Sequence, residues 1–406
     1  MDPRTEDLIA TALQHVDSET VIGLTRSLIS APSHTAEGEE QAADVLEEFL
    51  QQAGIKATRQ RVEDVGVNVI AALSSETEEV GLLYNGHLDV VPPSGSMPYP
   101  PFDATIKNGQ LWGRGAADMK GGVAAMACAL AAIRAAGIPL KRSVMLTAVA
   151  SEEQGNRGTA ALVQDGMRAA RAVVGEPTGL ELVIAHKGVD RYQVIVEGQA
   201  AQGSLPDRGV NAIVYAGYTI VAMDTHLFPK TREQTHPLLG HATYNIGTIE
   251  GGISRNTVPD RCMFRVCKRW LPGDSPKAIQ AEIEAVIRAA QPGTRVSVVR
   301  EPGFGSIPRP PLDLSPDHLL ARTLAAAVTR VTGRTPGMRG WAAFTDGSLL
   351  QMSGIPTIVF GPGDLEQAHT DEEHVSLPDL ITAAQVYTAF AIVTCTSENM
   401  DTIVEP

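Results

Sequence analysis

Short apolar runs that stop abruptly at acids, histidine and glycine constrain this chain more than any other feature. "EVGLLYNGHLDVV", "RSVMLTAVASEE" and "AARAVVGEPTG" read as strands buried on both faces. Helical patterns lie between and around them. "GEEQAADVLEEFLQQAGI" places apolar residues at helical spacing and closes on Gly54 as a C-cap. The alanine-dense "KGGVAAMACALAAIRAAGI" suits close packing against a sheet. Strand and helix in alternation predict an α/β domain: a mostly parallel, twisted sheet with helices on both faces.

The pattern changes over residues 187–300. "DRYQVIVEGQA" alternates like a half-exposed strand, "NAIVYAGYTIVAMDTHL" is helical, and "ATYNIGTIEGG" and "DRCMFRVCKRWL" are strands. "SPKAIQAEIEAVIRAAQ" is again helical and "TRVSVVREP" is a last strand. The order β-α-β-β-α-β predicts a split βαβ sandwich, an inserted α+β domain. After the Pro/Gly-rich connection "PGFGSIPRPP", the helix "DHLLARTLAAAVTRVTG", the strand "IPTIVFGPG" and the helix "LPDLITAAQVYTAFAIVTC" return to the first style. The expected organisation is one discontinuous domain, residues 1–186 and 301–406, with 187–300 inserted in it.

Composition removes several function classes. A net charge of −14 and a pI near 5.2 argue against nucleic acid as a partner, since binding it requires a basic face. The four cysteines (Cys128, Cys262, Cys267 and Cys395) lie far apart with no CxxC pair, so a disulfide framework is not expected and a reducing cytoplasm is. The N-terminal stretch is acidic and amphipathic, unlike a signal peptide. No apolar run reaches the roughly 18 residues of a membrane span, so no membrane partner is expected.

Five segments of the α/β domain end a strand, or closely follow one, with metal-binding residue types: "NGHLDV" (His87, Asp89), "GRGAADMKGG" (Asp118), "SEEQG" (Glu152, Glu153), "GEPT" (Glu176) and "QAHTDEEH" (His369). In open α/β sheets the crevice outside the carboxyl ends of strands holds ligands. Taken singly, each residue has a plainer explanation. A lone histidine is more often hydrogen-bonded than a ligand, Asp118 could cap the helix after it, and Glu176 before Pro177 could start a turn. Asp89 could be a surface acid or could orient His87. Together they are hard to obtain by chance. Imidazole and carboxylate suit zinc, and also manganese or cobalt, in numbers fitting a two-metal site with one bridging carboxylate. Two adjacent glutamates at a strand end then make sense: one ligates, and its neighbour acts as general base.

"GHLDVVP", "GRGAADMKGG", "SEEQGNRGT", "VVGEPTG", "GGISRNTVPD" and "FGPGDLEQAHTDEEHV", together with the insert, resemble the M20 family of dinuclear metallopeptidases over nearly the whole chain. That family includes acetylornithine deacetylases, succinyl-diaminopimelate desuccinylases, aminoacylases and carboxypeptidase G2-like enzymes. The resemblance implies a zinc-peptidase-like fold whose insert serves as lid and dimerisation domain, and a homodimer formed through it. By position it assigns His87 and Glu176 to one metal and Glu153 and His369 to the other. Asp118 would bridge, Glu152 would be the general base, and Asp89 would orient His87. Asn256 and Arg269 would grip a substrate carboxylate, a role that suits the bidentate fork of an arginine. Gly361 and Gly363 would let the backbone approach the substrate. The implied reaction is hydrolysis of an amide bond in a small N-acyl amino acid or dipeptide-like substrate with a free carboxylate.

The chain departs from the family pattern at two positions. Gln202 in "GQAAQGSLPD" stands where the family usually has a histidine that stabilises the developing oxyanion. A glutamine donates an amide hydrogen bond but carries no charge. The change leaves open slower hydrolysis, redirected non-hydrolytic chemistry (lyase, transfer or amide formation), a substitution made to trap a complex, or a binding homologue. Cys267 in "VCKRW" stands where the family often has an aspartate, which alters the charge pattern around Arg269.

Overall fold

The structure, a computed structural model, describes residues 3–77, 79–291, 293, 295–301 and 306–397. It resolves into two compact units. One comprises the chain up to Ile184, Leu314–Arg339 and the chain from Thr345; the other comprises Ala185–Asp313 and Gly340–Phe344. The second unit is larger than the 187–300 stretch because Ala185 and His186 pair with Asp313 and Leu312. That pairing brings the end of the Pro/Gly-rich connection into this unit; residues 302–305 of the connection lie outside the described residues.

In chain order the first unit opens with α1 (Pro3–Leu13), α2 (Ser18–Ile29), α3 (Ala36–Gln52), β1 (Ala57–Val62), β2 (Gly66–Leu73), β3 (Val80–His87), α4 (Gly121–Ala135), β4 (Ser143–Val149), α5 (Arg157–Gln164), β5 (Ala172–Val174) and β6 (Leu182–His186), whose last two residues belong to the second unit. The second unit follows with β7 (Gly188–Glu197), α6 (Ala212–His226), β8 (Thr243–Gly251), β9 (Arg261–Trp270), α7 (Pro276–Ala290) and β10 (Arg295–Arg300). The chain then returns to the first unit with α8 (Leu319–Thr332), α9 (Gly347–Met352), β11 (Thr357–Val359) and α10 (Leu377–Cys395).

The main sheet runs β1-β2-β4-β3-β5-β11-β6. Its centre is parallel: β3 pairs with β4 and β5, and β5 with β11, all in one direction. Its margins are antiparallel, with β1 on β2, β2 on β4 and β6 on β11. The first strand of the β1–β2 hairpin carries no strand signal in the sequence. β1 is the polar "ATRQRV", an edge strand with mostly half-buried or exposed side chains, so no apolar alternation marks it.

Local chemistry fixes the helix ends. Thr35 accepts the Gly38 N–H at the start of α3, and Gly54 follows the helix end in the left-handed conformation at φ 71°. α4 has the close packing its alanines imply: Ala124, Ala125, Ala127 and Ala129 are fully buried, and the helix lies on α10, α2 and β3. Contrary to the expectation from run lengths, Ala116–Ala135 and Leu377–Cys395 are long and apolar enough by length and composition to cross a membrane. The run count is broken by Asp118, Lys120, Arg134 and Asp379, whereas the average hydropathy tolerates them. In this fold the two segments are 94% and 61% buried and pack on each other in the core.

The second unit is a four-stranded antiparallel sheet in the order β8-β9-β7-β10, with α6 and α7 joining its strands as the β-α-β-β-α-β order implies. Its core gathers Tyr192, Val194, Met223, Phe264, Val266 and Ile283. Ser275 caps α7 by accepting the Ala278 N–H, and Pro276 opens that helix, where its missing N–H costs nothing.

Candidate metal centre

The parallel centre of the sheet sends its carboxyl ends to one edge. His87 is the last residue of β3, Ser151 to Glu153 follow β4, Gly175 and Glu176 follow β5, and Phe360 to Gly363 follow β11. Asp118 precedes α4, and His369 lies in the loop after β11 in a left-handed conformation at φ 62°.

His87 Nδ1 lies 2.8 Å from the Asp89 carbonyl oxygen. A carbonyl only accepts, so Nδ1 carries a hydrogen and Nε2 is the nitrogen turned into the site. Nε2 is 3.0 Å from Asp118 Oδ1 and 3.9 Å from Glu176 Oε1. The other Asp118 oxygen, Oδ2, is 3.3 Å from His369 Nε2, which is itself 2.7 Å from Glu153 Oε1. Asp118 thus stands between a His87–Glu176 pair and a Glu153–His369 pair, and these are the five residues the sequence marks as ligands. Ligand atoms of His87, Asp118 and Glu153 lie within 4.8 Å of one another.

The electrostatics show what this cluster favours. Burial pushes the Glu176 carboxyl well above its usual range, and the charge of Asp118 adds to this. Burial does the same to Glu152, helped by the charges of Asp346, Glu153 and Asp89. Burial works against the charged form of His87, yet the hydrogen bond to Asp118 and the carboxylates of Glu176, Asp118 and Asp89 outweigh it and hold its pKa well above 6.5. His369 is pushed up to about 10 by its hydrogen bonds to Asp118 and Glu153. The cluster therefore holds protons on its carboxyls and imidazoles that divalent cations would displace. The nitrogen and carboxylate donors suit zinc, manganese or cobalt.

Asp89 plays a part that the sequence shows only incompletely. Its backbone carbonyl, rather than its carboxylate, makes the short contact to His87; Oδ1 is 3.5 Å from Nδ1. The carboxylate accepts the backbone N–H groups of Glu152 and Glu153, one on each oxygen, both at 3.0 Å. It therefore shapes the turn that presents the two glutamates. Glu152 Oε1 accepts from Asn156 Nδ2 at 2.7 Å.

Sequence reasoning missed a supporting layer. Glu373 accepts the N–H groups of Gly115, Ala117 and Asp118 on Oε1 and the Arg114 guanidinium on Oε2. Glu39 and Lys120 are buried behind Asp89. Asp346 sits beside Asn156. Glu373 and Arg114 lie inside the segments quoted for His369 and Asp118, and only proximity to those ligands could have marked them. The two glycines also have a packing role of their own. A Cβ on Gly361 would stand 2.4 Å from the Gly175 oxygen and 2.6 Å from the Glu176 oxygen, so its bareness admits the protein's own backbone. Gly363, at φ 86°, would meet Ala117.

Gln202, Asn256 and Arg269 belong to the second unit. Gln202 is exposed on a two-residue ribbon opposite Thr257, and the Gly203 N–H bonds the Asn256 carbonyl at 2.7 Å. Arg269 lies half-buried on β9 near His186 and Lys187. Burial pushes His186 down to about 4, and the Arg269 charge adds to this. Cys267 pairs with Arg191 and Asn245 on the neighbouring strands.

Comparison with known proteins gives one consistent result. Residues 83–392 match the pattern of peptidase family M20/M25/M40. An acetylornithine deacetylase of Myxococcus xanthus is 33% identical over 83% of this chain and 88% of its own length. An N-formyl-4-amino-5-aminomethyl-2-methylpyrimidine deformylase of Bacillus subtilis is 28% identical over 97% of this chain and 99% of its own. The fold matches that of a dinuclear metal-binding peptidase of Bacillus subtilis with a TM-score of 0.71 at 15% identity, covering 94% of this chain and 99% of that one.

Proposed function

This chain belongs to peptidase family M20/M25/M40, and we propose from that premise that it hydrolyses the amide bond of a small N-acyl amino acid or dipeptide-like substrate carrying a free carboxylate. One observation carries the reading: the two oxygens of Asp118 face histidines from opposite sides, with a glutamate completing each pair. His87 and Glu176 would hold one divalent cation, Glu153 and His369 the other, and Asp118 both, with zinc the first candidate and cobalt or manganese alternatives. Bound there, such ions polarise a carbonyl and lower the pKa of water.

The chain's own residues supply the rest. Glu152 takes a proton from the attacking water as the new C–O bond forms, and returns it to the amine nitrogen as the C–N bond breaks. Water and amide thus become one acid and one amine. Asp89 keeps Glu152 and Glu153 in register through their backbone N–H groups. Arg269, with Lys187 nearby, offers a cationic neighbourhood that suits a substrate carboxylate; Asn256 adds a polar contact, and Gln202 donates to the developing oxyanion. The relatives' names support amide hydrolysis with a formyl or acyl group leaving a small amine.

The reading extends to assembly and compartment. Ile213, Val214, Tyr218 and Val221 of α6, and Ile249 and Ile253 at the edge strand β8, are exposed apolar residues on the second unit. A second copy of this chain, pairing edge to edge, would cover them; Tyr218→Glu should then shift the mass in solution to that of a monomer. The free cysteines support a reducing, cytoplasmic compartment.

The functional test is turnover of a panel of N-acyl amino acids and dipeptides by metal-free protein reloaded with zinc, cobalt or manganese. Acid and amine should appear in equal amounts, and Glu152→Gln should abolish turnover while still binding metal. An active Glu152→Gln variant would remove Glu152 as the base.

A further inference from the structure

We propose that Asn156 is a positioning residue that decides which oxygen of Glu152 moves the proton, an inference that rests on Glu152 being the general base. Asn156 Nδ2 lies 2.7 Å from Glu152 Oε1 and 3.0 Å from Asp346 Oδ1. Thr159 Oγ1 donates to the other Asp346 oxygen at 2.8 Å. A carboxamide could in principle present either end to these groups. Its oxygen would face two carboxylate oxygens and be repelled, so the nitrogen must point there, with one hydrogen for each carboxylate. Asp346 thereby fixes the amide of Asn156, and the amide fixes Glu152. An oxygen that already accepts this hydrogen bond is the weaker base. Glu152 Oε2 is left to carry the proton between water and the leaving amine.

The amide hydrogen bonds reach beyond the local turn. Asn156 also shapes the backbone, since it sits at φ 60° before α5 and its N–H bonds the Glu152 carbonyl at 2.9 Å. Asparagine tolerates the left-handed conformation, and glycine adopts it with less strain. A purely conformational role is therefore met as well by glycine, whereas a positioning role is not. The fully buried Thr159 and nearly buried Asp346 (1% exposed) form a rigid anchor for the amide, on α5 and just ahead of α9.

The experiment compares Asn156→Gly and Asn156→Asp with the parent, all metal-loaded, by crystallography and by steady-state kinetics on whichever panel compound the parent turns over. Asn156→Asp keeps the shape and sets a carboxyl against Glu152 in place of the amide donor, which guards against a folding defect peculiar to glycine. In both variants the Glu152 carboxylate should leave its parental rotamer or spread over several. kcat should fall about 10²-fold, as a misplaced proton carrier does, with KM and the number of bound metals near those of the parent. A Glu152 rotamer unchanged in both variants, or a kcat within about twofold of the parent, overturns the proposal. Glu152→Gln measured alongside separates the two ideas: an inactive Glu152→Gln with a fully active Asn156→Gly sinks only the positioning role, whereas an active Glu152→Gln sinks the general base. If the panel yields no turnover, the position of the carboxylate in the crystals decides.

Discussion

Glu373 and Asp118 meet through the backbone: Oε1 of the glutamate accepts the Asp118 N–H at 3.1 Å, along with those of Gly115 and Ala117. Glu373 lies four residues beyond His369, so one carboxylate ties the loop carrying the bridging aspartate to the loop carrying a histidine ligand. Its other oxygen takes Arg114 at 2.5 Å in a site where neither side chain reaches solvent. Glu373→Gln keeps the size but turns an amide nitrogen toward Arg114 or toward the backbone donors. Metal affinity should fall by about 10–100-fold, read by competition with a chelating dye. The unpaired Arg114 should cost about 3–5 kcal/mol of stability, read by denaturant unfolding of metal-free protein.

Gly361→Ala tests the close backbone contact. The added methyl would stand 2.4 Å from the Gly175 oxygen, and backbone cannot swing aside as a flexible side chain can. The shift should displace Glu176 and cost about 1–3 kcal/mol. The expected signature is weaker binding of one metal ion of the two, seen as a split in a calorimetric titration that is single-phase in the parent.

Glu39 gives a pH prediction. Burial pushes its carboxyl up to about 8, the Asp89 charge adds to this, and the Ser151 N–H, His87 and Lys120 oppose it. Between about 4.5 and about 8 the folded chain holds a proton on Glu39 that the unfolded chain has released. The contribution of Glu39 to stability is therefore complete below pH 4.5 and declines as pH rises to 8. Glu39→Gln lacks this proton. The Tm of the variant minus that of the parent should increase from pH 5 to pH 8, and a flat difference would show that Glu39 is ionised throughout.

Gln202 gives a prediction on rate. As a donor to the oxyanion, its loss in Gln202→Ala should lower kcat about 10²-fold with little change in KM. Gln202→His should restore turnover to at least the parental level. Equal kcat for all three proteins would remove residue 202 from the reaction.

What the sequence made legible follows from where the information is local. His87, Glu152, Glu153 and Glu176 sit where an apolar run breaks, Asp118 just ahead of a helix and His369 in the loop after β11, and sheet topology brings such points together. β1 escaped because an edge strand made of Thr, Arg and Gln has no apolar face to betray it. Asn156, Asp346 and Glu373 escaped because their roles are hydrogen bonds between residues 4 to 259 positions apart. No periodicity encodes such a bond. The short contact from Asp89 to His87 was expected from the side chain but comes from the backbone carbonyl, which the residue type cannot specify.

The position of β11 has a consequence for how the protein is made. β5 and β6 are close neighbours in sequence, yet they do not pair; the slot between them is filled by β11. As the chain leaves the ribosome, both walls of that slot emerge long before its occupant. The whole second unit can be synthesised and folded while the sheet of the first still has an open seam. His369 emerges later still, so a half-made chain carries four of the five ligands without the scaffold that sets their spacing. The spacing that a pair of metal ions would need is therefore complete only once the closing strand has docked.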